Sequence, residues 1–324
     1  MASPVPSNLT AVRGITVGHW TDVARATGCT VVLAPPGGMR AAGAVRGRAT
    51  GTRELDALNP RHVVGHIDAI LLTGGSAYGL GAADGVMRWL REHGRGYPVG
   101  SAGIVPIVPT AVIFDFDLAP GAKADRWPTA ADAYQACEAA GSEIAEGAVG
   151  AGTGATVGKA LGPRRAMKGG LGTAATHVGE LVVGALVVVN AVGDVVDGSG
   201  RILAGARGPD GAFVDGLAYL AQGGAPFGAG RNTTLAVVAT NAALDRVALE
   251  SLAHAAGDAL ARRIIPYGTV FDGDIVFAVS TAVRAPATPL QVEALAALAV
   301  PEAVERAVRR ARGIADIPGL ADER

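Results

Sequence analysis

The stretch Gly230-Arg231-Asn232-Thr233-Thr234-Leu235-Ala236-Val237-Val238-Ala239 passes from loop-forming residues straight into an unbroken apolar run. Five apolar residues in a row, with no polar alternation, read as a strand buried on both faces. The runs Thr30–Leu33, Ala69–Leu72 and Leu181–Val189 have the same character. Strands of this kind need covering layers, and helical periodicity supplies them. Leu80, Met87 and Leu90 share one face of Ala77–His93, and Leu244, Val247, Leu252, Ala256 and Leu260 share another ahead of Pro266. Thr129–Glu146 and Pro289–Arg312 are two further helix candidates. Gly193-Asp194, between Asn190 and Val195–Asp197, reads as a hairpin turn, so part of the sheet is expected to be antiparallel. The expectation is an α/β protein of stacked sheets with helices outside. No repeat, charge run or Ser/Pro-rich linker divides the chain, so one domain over 1–324 is expected, fraying from Gly313 onward.

Composition narrows the function. With 324 residues, 49% hydrophobic and 18% charged, the chain can bury a large core. Lys+Arg is 28 against Asp+Glu 29, and no basic stripe appears, which argues against nucleic acid as a partner. No apolar block reaches the roughly 18 residues that a membrane helix needs, so no membrane partner is expected either. The two cysteines, Cys29 and Cys137, are far apart, and Met1–Pro6 is followed by polar residues, not by an apolar leader. A cytoplasmic, reduced setting follows from those two features. His62 and His66 alone have metal-like spacing, without further ligands around them, so neither a metal nor a cofactor is expected. Gly150–Gly158 has glycines out of step with a dinucleotide loop, and Asp272-Gly273-Asp274 lacks the rest of a calcium loop. Gly74-Gly75-Ser76, between a strand and a helix, is either an oxyanion or anion cradle or a tight turn with Ser76 as N-cap.

Chemistry concentrates at Thr233. A hydroxyl residue at a loop-to-strand boundary can attack its own preceding carbonyl, giving an ester that water opens. A free N-terminal Thr then carries both a nucleophilic hydroxyl and an adjacent amine, whose ordinary pKa near 7.7 suits a general base. Only three of the 28 basic residues are lysines, Lys123, Lys159 and Lys168. In so Arg-rich a chain, a retained Lys marks a place where an amine able to lose its proton has a use, although a solvated surface Lys is the alternative.

Five segments occur together: Gly230–Asn241 (GRNTTLAVVATN), Phe271–Ser280 (FDGDIVFAVS), Val188–Asp197 (VVNAVGDVVD), Thr73–Leu80 (TGGSAYGL) and Gly152–Lys159 (GTGATVGK). In that relation along the chain they resemble the DmpA-like family of autoprocessing N-terminal-nucleophile peptidases and amidases. The family takes in L-aminopeptidase/D-esterases and β-aminopeptidases. At the Asn-Thr-Thr and Asp-Gly-Asp motifs the chain is most similar to the endo-type nylon-oligomer (6-aminohexanoate oligomer) hydrolases. The likeness runs from Gly14 to Leu298.

What the resemblance implies is specific. The fold would be an αββα sandwich, as in the ornithine acetyltransferases. The bond Asn232–Thr233 would be cut, giving an α chain of 1–232 and a β chain of 233–324. Thr233 would be the nucleophile, Lys159 the amine beside it, Asn190 the oxyanion donor, and Asp272 and Asp274 the acids that orient the N-terminal Thr. Alternation along a strand would turn both carboxylates to one side. Gly75, Ser76, Tyr78, Phe114 and Asp115 would line the substrate pocket. Phe114 stands where the nylon-hydrolase pattern has a tyrosine, which removes a pocket hydroxyl. The family's acid for a substrate's free amine has no clear match unless Asp115 or Asp117 serves. Both departures favour amides with extended, apolar chains. The substrate would be a small amide, peptide or oligoamide, and the assembly a homotetramer of α/β units. The alternatives are acyl transfer of the ornithine acetyltransferase type, with an amine replacing water, and a binding protein that keeps the bond intact.

Overall fold

The computed structural model describes residues 7–118, 126–224, 231–284 and 287–322. Lys123 and Gly230, named above, lie outside the described residues. Two five-stranded sheets form the centre. Counting only their ten strands, the first runs in the order β1 (Thr16–Asp22), β2 (Thr27–Leu33), β5 (Ala69–Thr73), β6 (Thr110–Val112) and β4 (Thr52–Arg53). The second runs β7 (Gly170–Val178), β8 (Leu181–Asn190), β9 (Thr233–Ala242), β10 (Ile275–Arg284) and β3 (Arg40–Val45). Neighbours are antiparallel except for β5 with β6 and β9 with β10, which are parallel.

The apolar runs are explained by what covers them. Along β8 and β9, Leu186, Val188, Leu235 and Val237 point to the first sheet, where Val32, Ile70 and Leu72 meet them. Val187, Val189, Ala236 and Val238 point the other way, onto helices α3 (Arg246–Leu260) and α4 (Pro289–Arg309). The outer face of the first sheet, with Val31, Leu33 and Leu71, is covered by α1 (Ala83–Glu92) and α2 (Ala130–Glu138). The inner strands of both sheets are therefore dry on both faces, and helix, sheet, sheet, helix is the expected αββα sandwich. Truncating a side chain such as Phe277, wholly buried between the sheets, costs about 3–5 kcal/mol. The helices start on side-chain caps: Asp245 accepts from Ala248 N in α3, and Thr288 from Gln291 N in α4. Gly172 lets α4 lie directly on β7, because a Cβ there would sit 2.1 Å from Ala303 O. Among the described residues no helix is long and apolar enough to cross a membrane.

Four local expectations change. The helix expected over Thr129–Glu146 stops at Glu138, because Gly141 is exchanged into a backbone pair with Val17 and Glu146 turns to Arg306. The helix expected over Ala77–His93 is a turn at Ser76–Gly79, a 3-10 turn at Leu80–Ala82 and then α1. Gly193-Asp194 does not fold Asp194–Val196 back on β8; that segment pairs with Ile202–Ala204 and Ile264–Ile265 instead. The tail over 314–322 is docked, not frayed: Lys168 N donates to Pro318 O, and Ala321 N donates to Ala311 O. One smaller difference is Val247, which faces solvent while Leu249 takes the buried position in α3.

Candidate active site

Sheet register builds the site. In the antiparallel pairing of β8 with β9, the last residue of one, Asn190, stands opposite the first residue of the other, Thr233. On the other side β10 enters parallel to β9, and a single bridge ahead of it places Asp272 beside Asn232. Thr233 thus begins its strand between an amide from one neighbour and an acidic turn from the other. Asp272 and Asp274 lie in the lead-in to β10, which starts only at Ile275, so strand alternation does not set their direction. Hydrogen bonds do. Asp274 accepts from Thr234 N through Oδ1 and from Gly268 N at 3.0 Å through Oδ2. Asp272 Oδ2 accepts from Thr269 N at 3.0 Å and Thr269 Oγ1 at 2.6 Å.

The hydroxyl of Thr233 is buried and lies 2.6 Å from the carbonyl oxygen of Asn232, to which it donates. That same oxygen accepts from Gly273 N at 2.8 Å. Lys159 donates to Asn190 Oδ1 at 2.8 Å, Asn190 O at 3.0 Å and Arg231 O at 3.2 Å. The Asn190 amide also accepts from Thr156 N at 3.1 Å, which leaves its Nδ2 directed at Phe114 O, 3.0 Å, and Arg231 O, 3.4 Å. Thr233, Lys159, Asn190, Asp272 and Asp274 therefore come together, from four segments far apart in the chain.

Burial sets the electrostatics. Loss of water brings the Lys159 amine down to about 8, with Arg231 pushing the same way and Asp117, Asp272 and Asp274 opposing. Asp274 is raised to about 8, by burial first and then by the charge of Asp272. Asp272 is raised as well, by burial, against the bonds from Thr269, the charge of Lys159 and the Val192 N–H. Both shifts run toward the protonated acid. Asp272 Oδ1 is buried and, among the described residues, has no partner in hydrogen-bonding geometry.

The residues expected to line the pocket separate. The three N–H groups of Gly74, Gly75 and Ser76 are already used, by Gly28 O, Asp115 Oδ1 and Ile113 O, so the segment is a tight turn and not an open anion cradle. Ser76 is not its cap; Gly75 holds that place with φ at +83°. Asp115 is buried, its Oδ2 taken by Thr27 Oγ1 at 2.6 Å and its Oδ1 by Gly75 N at 2.8 Å, so both its oxygens face protein. Tyr78 is exposed and stacks on Trp127 at 4.6 Å. Phe114 does reach the site: its carbonyl accepts from Asn190, and the Arg231 guanidinium lies 5.2 Å from its ring centre while pairing with Asp117 at 3.1 Å. Beside the turn that carries Asp272 is a cavity of about 310 Å³, lined by Val192, Leu217, Leu220, Pro266, Thr269, Val270 and Phe271.

Sequence reasoning missed Thr156, Thr269 and Gly273, whose contributions here come largely through backbone groups or a common hydroxyl. It noted Lys168 only as one of three lysines. That side chain is fully buried and donates to Thr153 O at 2.7 Å and Ala155 O at 2.6 Å, in the loop that presents Thr156 N to Asn190.

The αββα sandwich, with Thr233 at the head of an inner strand, is the fold of two aminopeptidases of known structure. The L-aminopeptidase D-Ala-esterase/amidase of Ochrobactrum anthropi, described as a variant of the Ntn hydrolase fold, superposes with a TM-score of 0.73 at 20% identity, over 98% of this chain and 91% of that one. A Burkholderia sp. β-aminopeptidase does so with a TM-score of 0.71 at 22% identity, over 99% and 93%. This chain belongs to peptidase family S58, whose pattern matches residues 7–317, and it is an amide-bond hydrolase of that family. An uncharacterised aminopeptidase of Mycobacterium tuberculosis is 44% identical over 98% of this chain and 97% of its own length. The 6-aminohexanoate-oligomer endohydrolase of Kocuria sp. is 33% identical over 85% of this chain and 76% of its own.

Proposed function

We propose that the chain cuts itself between Asn232 and Thr233 and then hydrolyses amides with Thr233 as an N-terminal nucleophile. In maturation the Thr233 oxygen bonds to the Asn232 carbonyl carbon, the C–N bond breaks, and the hydroxyl proton ends on the new amine. Water opens the resulting ester, leaving chains of 1–232 and 233–324. In turnover the freed amine takes the hydroxyl proton as Oγ attacks the substrate carbonyl and gives it to the leaving amine; water then cleaves the acyl ester, releasing the acid and restoring the Thr233 hydroxyl. Asn190 Nδ2 and the Lys159 amine steady the developing oxyanion; one such donor is worth about 100-fold or more in rate. Asp272, with one buried oxygen still open, receives the new amine.

The observation that carries this reading is the Thr233 hydroxyl held 2.6 Å from Asn232 O, inside a buried set of one amine, one amide and two carboxyl groups. The cavity beside Asp272, with its aliphatic and aromatic lining, suits the apolar chain of an amide, peptide or oligoamide. A relative that is a 6-aminohexanoate-oligomer endohydrolase and a structural neighbour that is a β-aminopeptidase agree with a substrate of that kind. Denaturing electrophoresis with N-terminal sequencing tests the proposal. The purified chain is expected as two fragments, the smaller beginning at Thr233, and Thr233→Ala as one inactive chain. An intact wild-type chain with full activity on a panel of L- and D-amino acid amides, β-peptides and aminohexanoate oligomers would overturn it.

A further inference from the structure

The carbonyl that self-cleavage must activate has one backbone donor on it. Gly273 N donates to Asn232 O at 2.8 Å, while the side-chain donors of the site are aimed one residue upstream: Asn190 Nδ2 and Lys159 Nζ reach Arg231 O at 3.4 and 3.2 Å. The direction of the Gly273 N–H is fixed from both sides, because Ala49 N donates to Asp272 O and Arg46 N to Asp274 O, each at 2.9 Å. The absence of a side chain matters too. A Cβ at position 273 would lie 2.6 Å from Ala49 O and 3.0 Å from Thr233 Oγ1, so only glycine brings the backbone this close to the nucleophile.

We infer that the Gly273 N–H is the oxyanion donor of self-cleavage, a catalytic group separate from the Asn190 amide used in turnover. As Oγ adds to the Asn232 carbon, the C=O electron pair moves onto the oxygen, and the Gly273 N–H, already in place, holds that charge. Collapse reforms the C=O bond and expels the Thr233 nitrogen, which takes the proton released by Oγ. This inference rests on the self-cleavage reading above and adds to it which group stabilises the intermediate.

The test replaces Gly273 by glycolic acid in a full-length chain made by cell-free translation with an acylated suppressor tRNA. The exchange turns the N–H into an ester oxygen and adds no side chain. Release of the fragment beginning at Thr233 is then followed over time. The expected result is cleavage about 100-fold slower than wild type. Glycolic acid at Gly208 removes an N–H that donates to Ala212 O at 2.8 Å, away from the site, and is expected to leave the rate within about 3-fold. Wild-type cleavage with the Gly273 ester, or an equal loss with the Gly208 ester, overturns the inference. Should the Gly273 ester aggregate, Gly273→Ala decides: its methyl must push the N–H away from Asn232, so cleavage at least about 10-fold slower is expected in a chain that still melts cooperatively, and the wild-type rate refutes the role. The unmodified chain separates the two readings. If it releases no fragment, the proposed function fails; if it does and the Gly273 ester matches it, only this inference fails.

Discussion

Lys159 and Lys168 are both fully buried amines whose pKa values burial has lowered, to about 8 and about 7, yet their surroundings differ. Lys168 donates to two carbonyls of one loop, and the nearby Asp115 has a donor on each oxygen, so this region is closed. Around Lys159 the set is open. Asp272 Oδ1 has no bonded partner among the described residues, and the Thr233 hydroxyl rests on a carbonyl instead of a base. Burial and a displaced pKa are therefore common to both regions; a vacant acceptor close to a buried hydroxyl is what separates them.

Substitutions sharpen the contrast. In the open region Asp272→Asn or Lys159→Met should lower both self-cleavage and turnover by about 100-fold or more, with little change in thermal midpoint. Gel time courses and amide assays read this, and wild-type rates in both variants would erase the distinction. Turnover should also fall as pH rises past about 8, as the Lys159 ammonium, faced by Asp117, Asp272, Asp274 and Arg231, loses the proton with which it steadies the oxyanion. A rate that stays level well above pH 8 contradicts that role.

The closed region should respond in stability and not in rate. Asp115→Asn leaves one of two buried donors poorly matched, at a cost of about 1–3 kcal/mol in the melting transition. Its carboxyl is raised from 3.8 to about 6 by burial, so the folded chain keeps a proton that the unfolded chain releases. The stability tied to that proton is whole below about pH 4 and is lost as pH rises through about 6. Asp115→Asn should flatten that slope in thermal melts, and an unchanged slope would place the titration elsewhere. Lys168→Met should have the smallest effect. Ala155 O keeps the Gly169 N–H, and the cost of burying an amine disappears, so cleavage should stay within about 3-fold of wild type. A Lys168→Met chain that no longer cuts itself would move Lys168 into the open set.

Much of this was legible through the family resemblance that five segments carry together: Asn-Thr-Thr at a strand start, a rare Lys after a glycine-rich segment and paired acids before a second strand stand where that resemblance places the family's groups. The sandwich was legible because strands dry on both faces leave uninterrupted Val, Leu and Ala runs. What stayed hidden was carried by backbone. The N–H groups of Thr156 and Gly273 have no letter of their own, and their use depends on register between distant strands. The hairpin expected at Gly193-Asp194 failed for a related reason: turn chemistry permits a reversal, but Ile264–Ile265 competes for the same strand and wins. Asp115, singled out for substrate, is spent on the turn at Gly74–Ser76, which only the tertiary contact with Thr27 reveals.

The order of strands in the second sheet has a consequence for any break ahead of Thr233. β9 and β10 come from the C-terminal piece, yet they are inserted between β8 and β3 of the N-terminal piece, and α3 and α4 clasp them from outside. A severed molecule would thus remain a dovetail joint. An affinity tag on either terminus should retrieve both polypeptides, and neither should be shed short of melting the whole sandwich.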